Sequence, residues 1–232
     1  MPKLTSAFSA FAVTIAAGLG LMAAGPAKAD VITLQLTSDH CTGGCLGGLT
    51  SLGTVTVNDT GGKLAFSIDL TSSNSGIVNT GFDGSFAFDL NGDPVITYSN
   101  IVATGGAGFT PVGGNTTGAQ NLTKFDGFGS FEYAILRDQQ GGGALPTVTN
   151  LSFTISDAAN DLTLASLQQT SFQGGSTFFV VDAISGQTGN TGLVDAGTPS
   201  RNVPEPASLA IFGTALASLG LIGLRRRRKD NV

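Results

Sequence analysis

The only histidine and both cysteines of the chain fall in one short run, Asp39-His40-Cys41-Thr42-Gly43-Gly44-Cys45. Two thiolates and an imidazole are ligands of the kind zinc takes, but a structural zinc site wants four, and no fourth soft ligand is evident. Adjacent His40 and Cys41 are also awkwardly placed to face one ion. A Cys-His nucleophile meets the same objection, because neighbours on extended backbone point to opposite sides. For an exported chain, a Cys41–Cys45 disulfide closing a small Gly-containing loop is the expected outcome. No metal is assigned.

A second run, Asp89-Leu90-Asn91-Gly92-Asp93, sets oxygen ligands at alternate positions, as a calcium loop does. The bidentate glutamate such a loop needs at its twelfth position is replaced by Asn100. The same residues carry a hairpin-turn signal in Asn91-Gly92. The turn is the expectation, and weak calcium coordination the alternative.

Paired carboxylates for glycoside hydrolysis meet only in a fold. Glu132 is the only glutamate of residues 30–202, and Asp59, Asp83, Asp93, Asp126 and Asp161 sit beside Gly or Asn in apparent turns. There is no G-x-S-x-G elbow, and no Gly-rich loop runs into Lys-Ser or Lys-Thr to cradle a phosphate. With no Trp, and only Tyr98 and Tyr133, a sugar-stacking platform is weakly represented; the Phe residues, mostly at strand spacing, read as core. No catalytic residue and no cofactor is assigned.

The elements that would position these residues are strands. The chain has 34 Gly and 15 Phe in 232 residues and is only 12% charged, a composition poor for helices and good for strands and turns. Alternation predicts strands over 31–37, 54–58, 63–70, 85–90, 95–101, 129–136, 148–156, 162–167 and 177–184. The cleanest case puts Leu64, Phe66, Ile68 and Leu70 on one face. Two Gly-rich loops are expected over 104–121 and 137–146. The predicted class is all-β: an antiparallel β-sandwich, with a jelly-roll layout as one arrangement the pattern allows, flanked by an N-terminal signal helix and a C-terminal transmembrane helix. About 170 residues are enough for one domain to bury its own core.

The net charge of −5 hides an asymmetry. From Asp30 to Val203 there are 14 acidic residues and four basic ones, about −10, while five cations stand together near the end of the chain. An acidic domain of this kind argues against nucleic acid as a partner, since phosphate binding needs concentrated basic surface.

Both ends read as export signals. Residues 1–29 have a basic start at Lys3, an apolar stretch over 8–24, and Ala27-Lys28-Ala29 as an A-x-A cleavage site, with Ala27 and Ala29 the small residues. Residues 207–224 carry no charge and as a helix would span roughly 27 Å, enough to cross a bilayer core. Arg225, Arg226, Arg227, Arg228 and Lys229 follow at once. The positive-inside rule keeps them cytoplasmic and everything before residue 207 outside. Ahead of the helix stand Val203, Pro204, Glu205 and Pro206, whose prolines hold the backbone extended, as a protease needs in its substrate.

A V-P-E-P motif, an apolar helix and a terminal arginine cluster together resemble the PEP-CTERM sorting signal, which exosortases recognise in Gram-negative bacteria that make exopolysaccharide. The resemblance covers residues 203–228. It implies that Pro204, Glu205 and Pro206 are the recognition motif, 207–224 the membrane helix and the cations, 225–229, the cytoplasmic stop. It further implies an exosortase as processing partner and only transient residence in the inner membrane. The expected layout is a signal peptide over 1–29, an extracellular domain over 30–202 and a sorting tail over 203–232. The expected role is that of a non-enzymatic surface or matrix protein, associated with exopolysaccharide or neighbouring surface proteins. A carbohydrate-binding module and an extracellular polysaccharide hydrolase are the alternatives.

Overall fold

The computed structural model describes residues 30–113, 123–141, 148–168 and 177–196. The signal segment, the sorting motif, the apolar helix and the terminal cations lie outside these residues. In chain order the strands are β1 (Val31–Asp39), β2 (Thr54–Asp59), β3 (Lys63–Asp69), β4 (Gly76–Ile77), β5 (Phe86–Leu90), β6 (Ile96–Ala103) and β7 (Phe109–Gly113). They continue as β8 (Thr123–Phe125), β9 (Gly129–Phe131), β10 (Tyr133–Arg137), β11 (Asn150–Asp157), β12 (Leu167–Gln168), β13 (Phe179–Ile184) and β14 (Thr191–Ala196).

All the pairings are antiparallel, in the order β6-β11-β3-β2-β1-β14-β13-β5-β10-β7, and the sheet curls until it is nearly closed, like a barrel. β1 makes the bend. Its first part pairs with β2, a bulge interrupts the register between Leu36 and Ser38, and the rest pairs with β14. Pairing passes from β2 to β14 between Gln35 and Leu36, and the bulge just beyond adds to the bend.

The interior follows from alternation. Leu64, Phe66 and Ile68 of β3 face inward beside Leu151, Phe153 and Ile155 of β11. Phe66 and Phe153 are direct cross-strand partners with rings stacked 4.8 Å apart. From the other half, Phe86, Phe88 and Phe179 close on Phe66 at 6.0, 4.9 and 5.9 Å. Each such ring contributes about 1.5–3 kcal/mol by leaving water.

β5 and β13 are apolar on both faces because both faces are covered. Their outward residues Ala87 and Val180, with Ala134 and Leu193, lie under a second small core. Phe125, Phe128 and Phe131 supply its roof, carried on the separate β8–β9 hairpin.

Four expectations need correction. Asn91-Gly92 turns the chain but joins no hairpin: β5 pairs with β10, β12 and β13, while β6 pairs with β11 in the opposite half. Positive φ at Gly92 (77°) and Asp93 (48°) serves a crossing over the core instead. The strand expected over 129–136 is broken at Glu132, whose amide donates to Asp89 Oδ1 (2.8 Å). The strand expected over 162–167 is mostly a 3-10 turn, Leu164–Ser166, closed by a reciprocal Thr163–Ser166 capping box. Finally, the first expected loop contains β7, and Arg137 ends β10, buried, donating from Nη1 to the Ile77 carbonyl (2.8 Å).

Candidate functional site

The disulfide loop leaves the end of β1. Cys41 and Cys45 are buried in the main core at disulfide distance, with Cα atoms 5.5 Å apart. Asp39 Oδ2 accepts from the amides of Cys45 (3.1 Å) and Leu46 (3.0 Å). The Gly44 carbonyl accepts from Thr188 Oγ1 (3.0 Å) and Asn190 Nδ2 (2.9 Å), and the Cys45 carbonyl from Ser185 Oγ (2.6 Å). The turn before β14 thus fastens the loop from the side.

His40 goes the other way. Its amide donates to the Leu193 carbonyl (2.8 Å), and its ring lies on the outer face, 4.4 Å from the Phe128 ring. The imidazole and the two sulfurs are therefore not brought together, as extended backbone requires of neighbours.

Around His40 a cleft of about 300 Å³ opens, lined by His40, Thr42, Thr80, Phe82, Asp126, Gly127, Thr191, Gly192 and Leu193. Four segments meet there: the disulfide loop, the turn after β4, the tip of the β8–β9 hairpin and the start of β14. The hairpin tip can close on the histidine only because residue 127 is glycine. Its φ is 84°, and a Cβ there would overlap the His40 ring.

Two buried carboxyls stand behind the cleft. Asp182 holds the turn at Thr80, accepting on Oδ2 from the Thr80 amide (2.6 Å) and hydroxyl (2.8 Å). Burial pushes its pKa up to about 6, against the pull of those two bonds. Asp195 accepts from Thr177 Oγ1 (3.0 Å), and burial raises it too, opposed by hydrogen bonds from Thr177 and Ser38 and by attraction to His40. In both, the second oxygen, Oδ1, is buried without a hydrogen bond among the described residues. A carboxyl in that state is better neutral than charged.

A second group lies where β5 ends and β10 begins. Asp89 accepts the Glu132 amide, and the carboxyls of Asp89, Asp93 and Glu132 repel one another. Burial raises Asp89 to about 7 and Glu132 to about 8, with the like charges adding to both. Asp89 and Asp93 were the residues of the calcium-like run. Glu132 joins them across 39 residues of sequence, and its one sequence signal is that it is the lone glutamate inside a strand-like stretch. No group of three or more His, Cys, Asp or Glu among the described residues is arranged to hold a metal ion.

The chain matches no protein-family model, no curated protein and no solved structure. The resemblance of residues 203–228 to a sorting signal therefore stands alone. Val203, Pro204, Glu205, Pro206, the cations Arg225 to Lys229, and Ala27 and Ala29 all lie outside the described residues. Among the described residues no helix is long and apolar enough to cross a membrane.

Proposed function

We propose that the chain is an exported carrier domain, sorted through residues 203–206 by an exosortase and delivered to the cell surface or extracellular matrix, where it serves a non-catalytic role. The observation that carries this reading is the agreement of the two ends. An A-x-A site precedes Asp30, and V-P-E-P, an apolar stretch and five cations follow the last strand, all implying one topology.

The fold is compatible with that arrangement at both borders. β1 begins directly after Asp30, and β14 ends at Ala196, with six residues between it and Val203. The ten residues from 197 to 206 reach at most about 35 Å, so before processing the domain is tethered within that distance of the membrane surface. Its two facing halves, closed on the Phe66 cluster, make a sandwich the natural description of the carrier, with the jelly-roll layout a finer variant of it.

A non-catalytic role is favoured by how the reactive groups are engaged. The His40 ring packs on Phe128, one oxygen of Asp195 accepts from Thr177, and the thiols are at disulfide distance. Association with exopolysaccharide or neighbouring surface proteins is the role that fits. Fractionation of cells that possess an exosortase tests the sorting. The wild-type protein is expected outside the inner membrane, and Glu205→Ala is expected to stay in it. Equal retention of both proteins in the inner membrane would reject the reading.

A further inference from the structure

The cleft around His40 is built to take a small, neutral, many-hydroxyl ligand, and we propose that it binds a single sugar unit of a polysaccharide. The proposal deepens the matrix reading above and rests on it only for the polysaccharide as source of the sugar.

The chemistry of the walls makes the argument. Thr42 and Thr191 offer hydroxyls able to donate and to accept, and Thr80, whose hydroxyl proton goes to Asp182, offers an acceptor, which suits vicinal hydroxyls that do both. Asp126 is exposed at the hairpin tip and adds a carboxylate that accepts two hydrogen bonds, and His40 adds a ring nitrogen pair. Phe82, half-buried against Phe125 at 6.0 Å, gives one apolar surface for the C–H face of a sugar ring. A predominantly apolar ligand would leave these polar groups unpaired, which is costly.

Charge narrows the class. Residues 30–203 carry about −10, and Asp126 faces the cleft, so an anion is repelled. One carboxylate with three hydroxyls falls short of the oxygen ligands that a divalent cation gathers. The hydroxyls on three of the walls suit a neutral, hydroxyl-rich ligand. A volume of about 300 Å³ sits at the small end of small-molecule sites and suits one or two rings rather than a long glycan segment.

The walls are also fixed in advance. Asp182 pins Thr80 by two hydrogen bonds, the Leu193 carbonyl pins His40, and the disulfide loop carrying Thr42 is fastened to Thr188 and Asn190. The backbone that presents the walls therefore needs little ordering on binding. Hydrolysis does not follow, because among the described residues Asp126 is the only carboxylate lining the cleft and glycosidases use two.

His40 is the only histidine, so its ring gives one unambiguous imidazole signal in the whole protein. The protein as cells release it, labelled with 13C-histidine, would be titrated with methyl glycosides of glucose, galactose, mannose and N-acetylglucosamine. At least one should shift the His40 signal saturably, with a dissociation constant in the range of about 0.1–10 mM, as expected for one small ligand. Asp126→Asn and Thr42→Ala change exposed side chains and should each weaken that binding at least about fivefold, a loss of about 1 kcal/mol, with the melting temperature unchanged. No saturable shift up to about 50 mM, or one that both variants leave intact, would overturn the proposal. So would a response confined to sulfated or carboxylated sugars. If the titration fails while the tail is still removed, the cleft inference falls alone. If binding holds while the tail is retained, the sorting reading falls and the cleft stands.

Discussion

Four carboxyl groups in this fold, on Asp89, Glu132, Asp182 and Asp195, hold their protons more tightly than a free carboxyl does, chiefly because burial disfavours their charge. The perturbation that reads this is pH. Below about 4 these groups are protonated in both the folded and the unfolded chain, and they contribute no difference. As the pH rises, the unfolded chain ionises at the ordinary value of 3.8 for aspartate, while folded Asp182 keeps its proton to about 6 and folded Asp89 to about 7. The folded state then binds more protons than the unfolded one, so stability falls as pH rises, from about 4 until the folded groups have ionised near 8. Taken at face value the displacement is about 4 kcal/mol for Asp89 and about 3 kcal/mol for Asp182, both nearly inaccessible to water. Relaxation around a buried charge reduces such figures, and a total loss of at least about 2 kcal/mol is the conservative expectation. Urea unfolding at fixed pH values between 4 and 9 would show the midpoint falling with unchanged slope. Asp182→Asn and Asp89→Asn together should flatten the curve. A midpoint that is level or rises between pH 4.5 and 8 would refute the reasoning.

Two other substitutions probe the frame. Phe66→Ala removes the ring on which Phe86, Phe88, Phe153 and Phe179 converge and should cost about 3–5 kcal/mol in chemical denaturation. Reducing Cys41–Cys45, or replacing both by serine, opens a loop of sequence separation 4; the chain-entropy account gives a loss of about 2 kcal/mol, read as a lower melting temperature.

The sequence made the inner faces legible wherever one side of a strand is apolar and the other wet. β3 and β11 alternate cleanly, and the structure pairs them residue for residue. It was less informative where a local signal serves a distant partner. Asn91-Gly92 states that the backbone turns, but which strand lies next to β5 depends on Phe86 and Phe88 packing inward beside β13 and β10. Glu132 looked like one more strand residue, because the bond that breaks the strand comes from Asp89, 43 positions away. β14 escaped because Gly192 and Asp195 interrupt its alternation, and Asp195 is tolerated there only through Thr177 and the cover of the outer face. The cleft was invisible for the same reason: its four walls come from positions near 40, 80, 126 and 191, each unremarkable in its own neighbourhood.

On the proposed reading residues 203–232 are a sorting tail that is cut away. Intact-mass spectrometry of the protein recovered from outside exosortase-bearing cells tests it most directly. The account predicts a chain beginning at Asp30 and lacking Arg225, Arg226, Arg227, Arg228 and Lys229, with Glu205→Ala retaining them. A mature protein that still carries those five cations would contradict it.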